Sequence, residues 1–312
     1  MATVIAYDDV KSKQKISKRK IGDKEIDIVQ TRFLGDRDNP NLPLIGLSTF
    51  GPGRVSTPHF HNVDQFQIMT EGKGKMGRHD ICANSIHFST AYTPYGPFTA
   101  DAETSLTCLI IRVRPDTGAQ HSLEDLHKLS QIPDRHPWQV TRDVSFPEIG
   151  AANVLMQSVA EIQNENGLAT YTLSMKPNAV AVTPDPSNGQ GLFVVLVKGS
   201  LIHDNRESKA LTVVFVSNNE KKFEICAGPA GLEGYIVQFP RANAQSPSAA
   251  REVRSSRGSQ SWQCSQCSFV YVESAGLPGE GIAPGTPWEE VPENWTCPDC
   301  AADKSAFERG GS

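Results

Sequence analysis

Four cysteines near the C-terminus are spaced for metal binding. Cys264-Ser-Gln-Cys267 and Cys297-Pro-Asp-Cys300 are two Cys-x-x-Cys pairs with 29 residues between them. Each pair turns tightly enough to place two thiolates on one ion. Two facing pairs make a tetrahedral sulfur site that suits zinc or iron. Spacing alone does not choose between these metals. A second set lies in Gly53-Arg-Val-Ser-Thr-Pro-His59-Phe-His61-Asn-Val-Asp-Gln65. His-x-His on a strand puts both imidazoles on one face, because side chains alternate with period two. A third ligand four residues later, Gln65, comes from the next strand or from past a bend. Imidazole with an oxygen ligand suits iron, nickel, zinc or manganese. His79, His121, His127, His136 and His203 have no partner at ligand spacing and read as structural or surface residues. Cys82 and Cys108 fall in strand-like runs, where unpaired cysteine is commonly buried.

The elements that position these residues are short strands. The chain has 312 residues, a formal charge of −5, 38% hydrophobic and 21% charged residues. That length suggests two or three domains at ~100–200 residues each, with cores large enough to need no disulfide scaffold. Runs such as Leu44–Phe50, Asp64–Met69, Ser85–Ser89 and Ser105–Val113 are broken by Gly, Pro and Asn. This is an all-β pattern. A second block repeats it at Thr170–Met175, Gly191–Val197, Leu211–Ser217 and Tyr235–Phe239, which suggests a duplicated barrel. Ser122–Leu129 between them reads as one or two helical turns. Lys11–Lys20, six basic residues in ten, reads as a solvated arm. Arg241–Ser261, rich in Ser with four arginines, reads as a flexible linker of ~20 residues spanning roughly 25 Å. No apolar run reaches the ~18–20 residues of a membrane-crossing helix, and Met1–Ile21 has no apolar secretory core. The expected location is therefore the cytoplasm, with no membrane partner. The mild acidity argues against nucleic acid.

The C-terminal segment resembles rubredoxin from Trp262 to Glu308. The resemblance rests on the two cysteine pairs, Tyr271, Pro284-Gly285-Thr286, Trp295 before Cys297-Pro298, and Lys304 with Phe307. Trp262, Phe269, Tyr271, Trp288, Trp295 and Phe307 would form its aromatic core. Ser268 departs from the family's usual Gly. The resemblance implies one iron on Cys264, Cys267, Cys297 and Cys300 that passes single electrons. This segment carries eight acids against Lys304, leaving the rest of the chain near neutral, so electrostatic steering onto the body is expected. The Gly53–Gly72 segment looks like the first cupin motif, Gly-x5-His-x-His-x3-Glu-x6-Gly, with Gln65 in place of Glu. In the second motif, Cys82–Phe98, alignment on Thr93-Pro94-x-Gly96-Pro97 puts Tyr95 where the family has its His. The resemblance implies iron or another divalent metal on His59, His61, Gln65 and Tyr95, with Gln65 and Tyr95 as catalytic candidates. His87 is a substitute ligand, an accessory group or an ordinary half-buried His. Met156–Arg241 resembles a degenerate second cupin, with Asp185, Asn188 and Gln190 in place of a ligand set.

The expected architecture is an all-β bicupin followed by a rubredoxin-like domain. Its boundaries are a basic arm at 1–25, a first barrel at 26–121, a connector and second barrel at 122–241, a linker at 242–261 and the iron domain at 262–308. Open barrel edges make a homodimer plausible. A tethered one-electron carrier has no use in hydrolysis or isomerisation. The function expected is a non-haem iron oxidoreductase or oxygenase acting on a small organic substrate. O2 and a flavin-dependent rubredoxin reductase are its candidate partners. A metal-dependent lyase or isomerase, and an electron-transfer or sensor protein, are the alternatives. Arg54, Arg112 and Arg114 are candidates to bind a carboxylate or to lie at the surface.

Overall fold

The computed structural model describes residues 2–21, 24–35, 39, 41–121, 138–242, 260–265, 269–277, 280–298 and 302–309. The expectations for Ser122–Leu129, His127, His136, Cys267, Ser268, Cys300 and most of the linker fall outside these residues. Among the described residues the chain is nearly all strand, with a single α-helix, one turn long.

The chain opens with β1 (Thr3–Ile5) and α1 (Tyr7–Val10). β2 (Lys15–Ile21), β3 (Lys24–Leu34), β4 (Leu44–Phe50), β5 (Val55–Ser56) and β6 (His59–Phe60) follow. Next come β7 (Gln65–Glu71), β8 (Lys73–Met76), β9 (His79–Cys82) and β10 (Ser85–Ser89). β11 (Phe98–Ala100), β12 (Leu106–Arg112), β13 (Gln120–His121) and β14 (Gln139–Asp143) complete this half. Its large sheet runs in the order β14-β10-β7-β12-β4-β3-β2, and a smaller one runs β5-β11-β8-β9.

The second half holds β15 (Val154–Ser158), β16 (Ala169–Met175), β17 (Val180–Val182) and β18 (Leu192–His203). β19 (Arg206–Lys209), β20 (Val213–Val216) and β21 (Glu224–Gln238) follow. Their sheet runs β1-β20-β18-β21-β16-β15. The last sheet, β23-β22-β24, is built from β22 (Ser261–Cys264), β23 (Val270–Val272) and β24 (Phe307–Arg309).

Two features differ from the sequence expectation. The described strands of the expected arm are paired into the sheets. β1 pairs with β20 of the second barrel, and β2 pairs along its length with β3 of the first. Lys11–Lys15 do face solvent, but Ile5 and Val10 are buried in the core between the barrels. Backbone pairing and two apolar side chains hold down what the charge pattern alone suggests is loose. β14 pairs with β10, so residues 139–143 extend the first barrel's sheet rather than the second's.

The strands β7, β10 and β12 are buried on both faces, and alternation sorts their side chains. Phe66, Ile68, Ile86, Phe88, Leu109 and Ile111 point to a core shared with Phe193, Val195, Tyr235, Val237 and Phe239 of the second half. This core joins the two barrels, and the Tyr235 hydroxyl adds a hydrogen bond to the Asn84 carbonyl at 2.8 Å. The intervening residues, Gln65, Gln67, Ser85, His87, Ser89, Cys108 and Arg112, face the interior of the first barrel. The second barrel's interior is apolar instead, filled by Leu173, Leu192, Val194, Leu196, Val214 and Ile236 among others.

Candidate functional site

Register brings the polar residues of the first barrel together. Gln65 and Arg112 stand opposite each other on β7 and β12, and Gln67 stands opposite His87 on β7 and β10. His59 and Tyr95 form an antiparallel bridge, with His59 N–H donating to the Tyr95 carbonyl at 3.1 Å and Tyr95 N–H returning at 3.0 Å. The rings converge as a result. Tyr95 lies 4.6 Å from His59, 5.2 Å from His87 and 6.3 Å from His61, centroid to centroid, and His59 lies 5.4 Å from His61. All of these residues are buried. The motif closes at Gly72, where φ is +83° and an added Cβ would lie 1.9 Å from the Ser105 carbonyl oxygen, so only Gly fits.

Arg112 organises this cluster. Its Nε donates to Gln65 Oε1 at 3.1 Å, one terminal nitrogen to Asp116 Oδ1 at 3.2 Å, and the other to His61 Nε2 at 3.1 Å. His61 Nδ1 in turn meets Asp116 Oδ2 at 2.5 Å. A guanidinium donor on Nε2 and a carboxylate acceptor on Nδ1 fix His61 as the neutral Nδ1–H tautomer. Burial, with the Arg112 charge, pushes the His61 pKa down to about 4. Burial alone would raise the Asp116 carboxyl, but the His61 hydrogen bond and Arg112 overcome it and hold it well below the usual range. Burial likewise lowers His87 to about 3. Burial raises the Tyr95 phenol, although Arg112 and a hydrogen bond with Gln65 oppose the shift. The phenol therefore stays protonated. Gln65 Nε2 donates to Ser89 Oγ at 3.3 Å, and His59 Nδ1 meets the Thr57 carbonyl at 2.9 Å.

Among the described residues, His87 Nε2 and Gln67 Oε1 are buried polar atoms on these inward-facing positions without a hydrogen-bond partner. The other His87 nitrogen meets Thr141 Oγ1 at 2.9 Å. Gln67 and Asp116 carry no motif that marks them in the sequence. The signals available were the alternation along Gln65–Met69 and an acid in the Pro115-Asp116-Thr117-Gly118 turn after a strand. Arg112 does bind a carboxylate, that of Asp116, while Arg54 is buried with its guanidinium 5.4 Å over the Phe50 ring and Arg114 is exposed. Cys108 is buried as expected, whereas Cys82 at the end of β9 is exposed.

A second metal does not fit these side chains as they are arranged. The donor atoms of two expected ligands, His61 Nε2 and Gln65 Oε1, both face a guanidinium. Asp116, the carboxylate at the cluster, is already paired with both Arg112 and His61. No three His, Cys, Asp or Glu side chains among the described residues come together as a metal site. In the second barrel, Asp185 accepts hydrogen bonds from Ser187 and Gln190 donates to the Pro240 carbonyl at 2.8 Å, both local structural contacts.

In the C-terminal domain Cys264 and Cys297 are buried in an aromatic core. Trp262 stacks on Trp288 at 5.2 Å and 17°, and Tyr271, Trp295 and Phe307 surround them. Cys264 N–H donates to the Phe269 carbonyl and Cys297 N–H to Ala302, both at 2.8 Å, closing the two turns. Lys304 Nζ reaches the Val291 carbonyl at 2.7 Å and Glu293 at 2.8 Å, over the Trp288 ring. A sequence profile of the rubredoxin family matches residues 261–307. Rubredoxin-1 of Alcanivorax borkumensis is 57% identical over 47 residues, which cover 15% of this chain and 87% of that protein. The chain belongs to the rubredoxin family through these residues. A rubredoxin domain implies iron binding, and of its four expected cysteine ligands Cys264 and Cys297 lie among the described residues. The body has the bicupin fold. The Escherichia coli pirin YhhW in complex with nickel(II) superposes with a TM-score of 0.51 at 9% identity, over 78% of this chain and all of that one. A Nostoc punctiforme protein provisionally described as a dioxygenase gives 0.51 at 11%, over 77% and 83%. No helix among the described residues is long and apolar enough to cross a membrane.

Proposed function

We propose that this protein is an oxidoreductase in which the rubredoxin domain relays single electrons to or from a small organic molecule held in the first barrel. The observation that carries this reading is the contact between the two. Arg78, in the turn between β8 and β9, forms an ion pair with Glu280 and donates to the Thr296 carbonyl at 3.5 Å. Thr296 is bonded directly to Cys297. The same turn is tied to the polar cluster from behind, because Gly77 N–H donates to the Pro97 carbonyl at 2.8 Å, two residues from Tyr95. A run of covalent and hydrogen bonds thus joins an iron-ligand cysteine to the Tyr95 segment of the first barrel.

When bound, the iron supplies reversible one-electron chemistry between its ferric and ferrous states. The chain's own residues do the rest. The aromatic core around Cys264 and Cys297 excludes water from the thiolates. His87 Nε2 and Gln67 Oε1 supply hydrogen-bonding positions for a substrate's polar group, since a buried polar atom left unpaired is costly. Tyr95, kept neutral by burial, holds a proton next to that position, and Arg112 keeps a fixed positive charge beside it. The oxygenase form of the function needs a second iron on His59, His61, Gln65 and Tyr95. Arg112 already engages two of those donors, so we assign the redox step to the rubredoxin iron. The lyase alternative needs Tyr95 as a base, and the raised phenol pKa opposes that. A flavin-dependent reductase fits as the external electron source.

The test is kinetic. The full-length protein is reduced anaerobically and mixed with O2 in stopped flow, alone and with a library of small carbonyl, quinone and phenolic compounds. At least one compound should speed return of the ferric colour by tenfold or more, and Tyr95→Phe should remove most of that gain. If no compound and no first-barrel substitution changes the rate, the relay reading fails and a carrier or sensor role replaces it.

A further inference from the structure

We infer that the first barrel is a metal-independent site in which the Arg112 guanidinium takes both the position and the charge of the missing ion. The argument begins with distances. A nitrogen donor 3.1 Å from His61 Nε2 places its hydrogen about 2.1 Å from that lone pair. A zinc-like ion on imidazole sits at about 2.0–2.1 Å along the same direction. The two positions coincide, so an ion cannot bind His61 until Arg112 leaves. Leaving is opposed on three sides. The guanidinium is held by Gln65 Oε1, by Asp116 Oδ1 and by His61 itself. Asp116 also holds His61, so the carboxylate, the imidazole and the guanidinium close a triangle.

Charge points the same way. Arg112 and Asp116 cancel, and Gln65, His61 and Tyr95 are neutral. With Arg112 in place, a dication added to this box would find the one carboxylate, Asp116, already paired with the guanidinium, whereas Glu at position 65 would have supplied a second. A buried charge without a counter-charge is strongly disfavoured. The placement is also built into the backbone. Arg112 is the last residue of β12 and stands in register with Gln65 of β7, so strand pairing delivers it to this spot. The inference concerns this cluster alone. It stands or falls separately from the electron relay.

The test reads metal and not turnover. The full-length protein, with its rubredoxin iron in place, is analysed for metals and then titrated with Co(II) and with Ni(II) by calorimetry and absorption. Wild type should hold one iron per chain and show no second site that depends on His61. Arg112→Met should open the position and gain a Co(II) site at least 100-fold tighter than wild type, with ligand-field bands that disappear when His61→Ala is added. A second equivalent bound by wild type and lost in His61→Ala would overturn the inference. So would wild type and Arg112→Met being equally indifferent to both ions, because something other than the guanidinium would then exclude them. The comparison of wild type with His61→Ala does not involve Arg112→Met, so it can overturn the inference even if Arg112→Met does not fold.

Discussion

His87 shows how a side chain can be easy to find and hard to read. Its position near the cluster is visible in the sequence, but its protonation is set by what packs around it. It is fully buried on β10 against Tyr95, and its pKa falls to about 3. In the unfolded chain it titrates near 6.5. Between about pH 6.5 and 3 the unfolded state therefore holds a proton that the folded state lacks, and stability falls as the pH drops through this window. His61, lowered to about 4, acts in the same direction. Unfolding at pH 5 should take up close to one fewer proton in His87→Gln than in wild type. The corresponding pH slope of stability should shrink by about 1.4 kcal/mol per pH unit. Potentiometric proton uptake on urea unfolding measures this; equal uptake in the two proteins would mean that His87 is solvated. His59, His61, Gln65 and Tyr95 were legible because motif spacing fixes them along the chain. Arg112 was legible only as a candidate to bind a carboxylate and Asp116 not at all, because one depends on the register of β12 with β7 and the other on the turn that follows, and neither leaves a mark in the local sequence.

Strands explain which parts of the fold the sequence reveals. Apolar runs mark β12, β18 and the end of β21, whereas β7 and β10 alternate polar and apolar residues. Alternation separates two faces without saying which points inward, and only the packing shows that Phe66 and Ile68 meet the second barrel while Gln65 and Gln67 line the first. The duplication shows most clearly at two glycines. Gly199 has φ of +76° and an added Cβ would lie 2.0 Å from the Gly231 oxygen, the same constraint as Gly72 in the first barrel. β1 left no comparable signal, being three residues beside a charge run. Its contribution is testable by contrast. Ile5 is 9% exposed within the shared core, whereas Ile16 on β2 is 63% exposed. Ile5→Ala should cost about 2 kcal/mol or more of body stability. Ile16→Ala should stay within about 0.5 kcal/mol. Chemical denaturation followed by far-ultraviolet dichroism resolves that difference, and two equally silent substitutions would restore the free-arm description.

The whole molecule joins an acidic electron-transfer domain to a nearly neutral body in one chain, and a small contact helps set how the two sit together. The charge asymmetry was legible in composition alone, but the residue that receives it was not. Arg78 lies in a tight turn beside His79 with nothing in its sequence to distinguish it from other surface arginines. Its side chain is about a quarter exposed and that of Glu280 about a third, so the pair is partly shielded from water. A pair of this kind contributes at most about 1 kcal/mol. At an effective concentration of about millimolar, docking needs about 4 kcal/mol of intrinsic affinity, so the ion pair acts together with the Arg78–Thr296 hydrogen bond and the surface around them. The ion pair's share should weaken at 1 M salt, where the screening length falls to ~3 Å. Arg78→Glu should release the rubredoxin domain even at low salt, by removing an attraction and adding a repulsion against Glu280. The double variant Arg78→Glu with Glu280→Arg should return it. Small-angle scattering would record a larger radius of gyration for the single variant and near wild-type dimensions for the double one, with the iron absorbance unchanged in all three. If the single variant keeps wild-type dimensions at every salt concentration, this ion pair does not hold the domains together, and the route from Cys297 to the Tyr95 segment loses its anchor.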